Sequence, residues 1–302
     1  MHLPDGILSR HAEAVAAVAA VGGIGVAARV ARHELAQVPA GRIAAVGALV
    51  FAAQMVNVPV ASGTSGHLIG AALAVALLGR GLGILTAAAV LVTQALVFAD
   101  GGVSSLGVNV VNMAIVPGLI AAAVLGWVGS RVPEGDPVEV VSTSRLAAAA
   151  GLSTLGAAAA FSAQYAVAAL GGDAASTVVA QVLAVHVPIG IAEIVLTIGA
   201  VALVRAVDAR PLPVVAGALA VSFVVAPWAS SSPDGLERVA IDRGFASLAG
   251  AHPLEGSPLA DYAVSGVDHS VLTVGLAGVL GVAMVLAVLH AIDHLARVRV
   301  ER

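Results

Sequence analysis

Cysteine is absent from the 302-residue sequence, so disulfides and thiolate metal ligands are both excluded. Lysine is absent too, and all 14 permanently basic side chains are arginine. Charged residues make up only 11% of the chain, against about 25% in a soluble domain, too few to clothe a water-facing surface. The net charge of −4 and the lack of any basic stripe argue against nucleic acid as a partner. No P-loop or other nucleotide motif is present, so any ATP hydrolysis must come from another chain. Aromatics are scarce at 3%, while hydrophobic residues reach 59% and are mostly Ala, Val and Leu. Small apolar side chains suit close helix packing in lipid, where van der Waals contact drives association. The composition predicts an integral membrane protein.

A spanning helix needs about 20 apolar residues. Nine apolar runs are candidates: Ala14–Ala28, Ile43–Asn57, His67–Gly79, Gly81–Ala99, Val108–Gly129, Leu146–Leu170, Thr177–Val204, Leu212–Ala229 and Ser270–Leu295, charge-free except for Glu193 and Asp293. Cytoplasmic loops are enriched in arginine. With the N-terminus outside, the inner segments hold Arg29, Arg32, Arg42, Arg80, Arg131, Arg145, Arg205, Arg210, Arg297, Arg299 and Arg302, and the outer ones only Arg10, Arg238 and Arg243. The expected fold is an all-α integral membrane bundle of about seven transmembrane helices over residues 1–210. A two-helix module over 211–302, with an extracytoplasmic loop at 230–267, follows it. The uncharged stretch Val58–Gly66 lies between two short hydrophobic segments, a pattern that points to binding sites in transporters.

The opening Met1-His2-Leu3-Pro4-Asp5-Gly6 lacks the basic region and cleavage site of a signal peptide, so a free Met1 amine is expected in the mature chain. That amine, the amide nitrogen of His2 and the His2 imidazole form two fused chelate rings when a metal displaces their protons. His67, expected on the same side of the membrane, offers a fourth nitrogen. Such a set favours Ni(II) or Cu(II), with Co(II) next. The residues alone equally allow His2 to be an exposed terminal side chain and His67 an interfacial polar one.

Other polar residues in apolar surroundings have a functional and a structural reading. Asn109 and Asn112 suit supporting contacts to a metal-bound histidine or plain helix-to-helix hydrogen bonds. Gln54, Asn57 and Ser65 belong with them. His186 and Glu193, seven residues apart, share a helix face and suit a role in coupling, or in satisfying neighbouring helices. Ala12, Ala16 and Ala20 form a small-residue stripe. Gly63-Thr64-Ser65-Gly66 spells the nucleophile motif of rhomboid intramembrane proteases, with His186 as a conceivable base. This is the competing, enzymatic reading.

Several stretches resemble the NikM/CbiM family: Met-His-Leu-Pro-Asp-Gly-Ile-Leu-Ser at the start, Phe-Ala-Ala-Gln-Met-Val-Asn-Val-Pro-Val at 51–60 and Gly-Thr-Ser-Gly-His at 63–67. So do Phe-Ala-Asp-Gly-Gly at 98–102, Leu-Gly-Val-Asn-Val-Val-Asn-Met at 106–113 and His-Val-Pro-Ile-Gly-Ile-Ala-Glu at 186–193. Ser-Ser-Ser-Pro-Asp-Gly-Leu-Glu-Arg at 230–238 resembles the accessory N component. The resemblance implies a substrate-specific S component of an energy-coupling factor (ECF) importer in a bacterial or archaeal cell membrane, fused to an N-component-like module. It implies Ni2+ or Co2+ as the transported substrate, bound by Met1, His2 and His67. It also implies a transmembrane T component and ABC ATPase subunits as partners, with the Ala12, Ala16 and Ala20 stripe docking the T component.

Overall fold

In the computed structural model, which describes residues 1–61, 63–127 and 141–300, an extended arm leads into a bundle of helices. Arg131, Arg302 and the end of the run reaching Gly129 lie outside the described residues, as does the side chain of Arg299. In chain order the elements are α1 (Arg10–Glu34), α2 (Ala40–Gln54), β1 (Val58–Ala61), β2 (Thr64–Gly66), α3 (Ala71–Leu78) and α4 (Arg80–Val97). They continue with α5 (Leu106–Leu125), α6 (Thr143–Ala168), α7 (Ala175–Ala206), α8 (Pro211–Trp228), α9 (Gly235–Asp242) and α10 (Ser270–Val300).

Among the described residues seven helices are long and apolar enough to cross a membrane: α1, α4, α5, α6, α7, α8 and α10. The nine apolar runs therefore resolve differently from a simple count. The second run is a helix of 15 residues and the third one of 8 residues. At 1.5 Å per residue these rise about 22 and 12 Å, short of a bilayer core of about 30 Å. Both sit inside the bundle, and all eight residues of α3 are buried. A hydrophobic run says only that a segment avoids water; here the shelter is other helices rather than lipid.

Local sequence explains the breaks. Ser9 caps α1, its hydroxyl accepting from the Ala12 amide. Gly79, at φ +95°, separates α3 from α4. The buried Glu34 carboxylate then accepts from the Gly81 and Leu82 amides at 3.1 and 2.7 Å, closing the start of α4. A wider π-turn over Val111–Ile115 interrupts α5.

One departure from the all-α expectation is the antiparallel hairpin of β1 and β2, which pairs Val58 with Gly66 and Pro59 with Ser65. The two ends of the bundle differ. Arg297 of α10 donates to the Leu35 and Val38 carbonyls at 2.9 and 3.0 Å, tying the α1–α2 connection, which Arg29, Arg32 and Arg42 flank, to the last helix. The arm, the hairpin and the 230–262 segment gather elsewhere: Ser230 donates to the Asn57 carbonyl, and Gly250 to that of Asp5. The C-terminal helices α8 and α10 both pack on α2.

The stripe Ala12, Ala16 and Ala20 faces inward. Ala16 and Ala20 belong to the core, and α1 turns Val15, Val18 and Val21 outward instead. Small side chains let α1 approach α4 and α5 closely.

Candidate metal centre

Residues 1–9 form a strap, with a turn at Asp5-Gly6, held by backbone hydrogen bonds to other segments. The Leu3 carbonyl accepts from Gly102 and the Ile7 carbonyl from Leu170, while Ser9 donates to the Ala168 carbonyl. Asn109 grips Leu3 at both backbone groups, accepting from its N–H at 2.8 Å and donating to its carbonyl at 3.0 Å. Asp5 accepts from the Val103 and Ser105 amides and the Ser104 hydroxyl. Gly102 permits this approach, since a Cβ there would stand 1.9 Å from the Asp5 carboxylate. Leu3, Ile7 and Leu8 are each 1% exposed and seal the strap into the bundle.

The strap delivers the amino group of Met1 to 2.8 Å from Nε2 of His67. The other ring nitrogen of His67 stands 3.0 Å from the Leu68 carbonyl. Donation there leaves the Nε2 lone pair turned to the amine, the arrangement typical of a metal-binding histidine. The hairpin and its exit position His67. The Gln54 amide donates to the Ile69 carbonyl at 2.7 Å, and the buried Glu193 carboxylate accepts from the Ile69 and Gly70 amides at 2.6 and 3.0 Å. Glu193 thus fixes the loop that carries His67, at the entrance to α3.

The same amine forms an ion pair with Asp234, which the sequence reading did not single out. Asp234 opens α9: its Oδ1 accepts from Leu236 and Glu237 at 2.8 and 2.9 Å, leaving Oδ2 for Met1. Its neighbour Pro233 accepts from the Ser65 amide, and Ser232 accepts from the Ser65 hydroxyl at 2.7 Å. The Pro-Asp-Gly stretch of the C-terminal module is therefore laid along β2. Burial alone would raise the Asp234 carboxyl, but the Met1 ammonium and His67 outweigh it and hold the group well below the usual carboxylate range. Gly235 lets this stretch approach α7, because a Cβ there would meet Ile189 at 2.5 Å.

His2 is stacked on His67, ring centroids 5.3 Å apart. Its ring nitrogens are turned to others: Nε2 lies 3.2 Å from Gln94 and Nδ1 3.3 Å from Asp100. Burial lowers the His2 imidazole to about 4 despite the opposing Asp100 charge, so the ring is neutral at physiological pH. Asp100 in turn accepts from the Tyr262 hydroxyl at 2.7 Å. Burial first, and Asp100 next, push that phenol well above its ordinary value.

Met1, His67, His186 and Asp234 border one small cavity. His186 is 1% exposed, with Nδ1 2.7 Å from the Val182 carbonyl. Among the described residues no hydrogen bond joins His186 to Ser65, whose hydroxyl is taken by Ser232, so the protease pair is not assembled. Asn112 exchanges two hydrogen bonds with Gln164 of α6, at 2.8 and 2.9 Å, rather than reaching the arm. Asn57 serves through its backbone, accepting from Ser230. Among the described residues no three His, Asp or Glu side chains stand at metal-holding spacing. The nitrogens that meet at His67 include the chain's own amine. Asp234, Asp100 and Tyr262 were missed because each acts across a long sequence separation. The one signal available was the repeated Pro-Asp-Gly at 4–6 and 233–235.

Known proteins match both parts of the chain. The model for the cobalt uptake substrate-specific transmembrane region (CbiM) matches residues 2–211, and that for the PDGLE domain matches residues 211–297. The fused nickel transport protein of Rhodobacter capsulatus is 31% identical over 334 residues, covering 95% of each chain. A Haloquadratum walsbyi protein named for metal transport is 44% identical over 120 residues; the match spans 40% of this chain and 55% of that one. A crystal structure of a transition metal transporter superposes with a TM-score of 0.56 at 25% identity, covering 70% of this chain and 96% of the other.

Proposed function

The chain belongs to the CbiM family, a multi-pass membrane protein of nickel and cobalt transport rather than an enzyme, and from that premise we propose that it captures Ni2+ or Co2+ on the outer face of the membrane as the substrate-binding subunit of an ECF-type importer. The ligands in this reading are the Met1 amine, the amide nitrogen and imidazole of His2, and Nε2 of His67. Four nitrogens in a plane suit Ni(II) first, with Co(II) the alternative cargo.

The observation that carries the reading is the 2.8 Å approach of the Met1 amine to the His67 ring nitrogen that the Leu68 carbonyl leaves unprotonated. The strap that brings the amine there is anchored by the buried side chains of Leu3, Ile7 and Leu8. The N-out, C-in orientation is supported by the arginine distribution, eleven on inner segments against three on outer ones. CbiM-family proteins work with other subunits. Here a transmembrane T component and ABC ATPases are proposed, since the chain carries no nucleotide motif. Residues 1–210 form the metal-binding part and 211–302 an accessory module whose 230–267 loop reaches the site.

Titration of purified protein with Ni2+ and Co2+, beside His67→Ala, tests the proposal. The variant is expected to insert normally and bind neither ion above background. Undiminished metal content would rule the site out.

A further inference from the structure

Two contacts from the C-terminal module reach the two halves of the proposed chelate. At Met1, Oδ2 of Asp234 is ion-paired with the amine, while Oδ1 of the same carboxylate is anchored on the first turn of α9. At His2, Nδ1 lies 3.3 Å from Asp100, whose other oxygen is held at 2.7 Å by Tyr262. Tyr262 is delivered with care. It stacks on Phe98 at 4.8 Å, and both it and Asp261 adopt left-handed backbone at φ 56° and 53°. That conformation is uncommon and costly for residues other than glycine. The Asp261 amide, bonded to the Phe98 carbonyl at 2.8 Å, pins the turn beside Asp100.

The consequence is geometric. The nitrogens needed for a planar chelate are placed within reach of His67, yet two of them are engaged elsewhere. The amine faces a carboxylate, and Nδ1 of His2 faces another, with its ring stacked on His67 instead of edge-on to a shared centre.

We propose that Asp234 and the Tyr262–Asp100 pair are displaceable holds through which the C-terminal module positions the arm before the ion arrives, so that loading is an exchange. The inference rests on the metal-site reading above. The cation takes the place of Asp234 at the amine, the ammonium and the His2 amide each give one proton to water, and His2 turns Nδ1 from Asp100 to the ion. Neither hold is a ligand of the bound state. Asp234 and Tyr262 are positioning residues that set how fast the chelate opens to metal.

Asp234→Asn separates the charge from the fold, because asparagine still caps α9. Tyr262→Phe keeps the stack on Phe98 and drops only the hydroxyl. Stopped-flow binding of Ni2+ to the full-length protein, followed through the absorbance band of a planar amide-nitrogen nickel chelate, gives association and dissociation separately. Asp234→Asn is expected to bind about tenfold faster and tighter, as when a partly buried ion pair ceases to compete. Tyr262→Phe should accelerate association less, and the band should be unchanged in both. A weaker affinity in Asp234→Asn would make that residue a ligand and overturn the inference. Unchanged rates in both variants, with the native protein binding normally, would overturn it alone. A native protein that binds no nickel overturns the metal-site reading and this inference with it.

Discussion

Asp234 is ion-paired with the amino group of Met1, although 233 residues separate them. The pair joins the first atom of the part that matches CbiM to the first turn of a helix in the part that matches the PDGLE domain. Pro233 and Ser232 reinforce it on the far side of β2, where Ser65 is their donor. A fusion of the two parts in one chain keeps this contact intramolecular, so its effective concentration does not depend on assembly.

Asn109 and Asn112 are predicted to behave differently. Asn109→Ala leaves the buried Leu3 amide without a partner, at a cost of about 1–3 kcal/mol, and frees the arm. Both the melting temperature and nickel affinity should fall. Asn112→Ala breaks only the pair with Gln164, so thermal stability should fall while nickel affinity holds. Differential scanning of detergent-purified variants beside a nickel titration checks both.

That contrast marks how far the sequence could be read. Apolar runs and arginine placement disclosed the long helices, and the Met1-His2 opening with His67 disclosed the candidate ligands. The runs did not disclose that α2 and α3 are too short to span, since helix-buried and lipid-buried segments look alike in composition. Nor did spacing separate Asn109 from Asn112, because the π-turn that begins at Val111 has no sequence mark. Asp234 lies in the repeated Pro-Asp-Gly, but the repeat does not say which group its carboxylate meets. Its role depends on a tertiary contact that no local pattern encodes.

Glu193→Gln tests how the His67 loop is held. The carboxylate receives two amides, from Ile69 and Gly70, and glutamine offers one oxygen and a clashing NH2 group in its place. A loss of about 1–3 kcal/mol is expected. Nickel affinity should weaken together with stability, because the loop that shifts carries His67. Unchanged melting and unchanged binding would mean that Glu193 serves something other than this loop.

Acid should destabilise the metal-free protein through His2. Its imidazole, lowered to about 4 in the fold, returns to about 6.5 when the chain unfolds, so the unfolded state binds more protons between those values. Stability should therefore fall as pH drops from about 6.5 to 4, and His2→Gln should flatten that part of the profile. Thermal melts of chelator-treated protein across this range measure it. A native profile as flat as that of the variant would contradict the burial of a neutral His2.

The central claim is that the chain's own amino group binds the transported ion. Its most direct test is equilibrium dialysis against Ni2+ of the native protein and of one extended by a single residue before Met1. The extension removes the primary amine from the end of the strap and displaces the fused chelate, yet leaves every side chain of the sequence in place. The native protein is expected to retain one ion per chain and the extended one only background. Equal nickel in the two would contradict the claim.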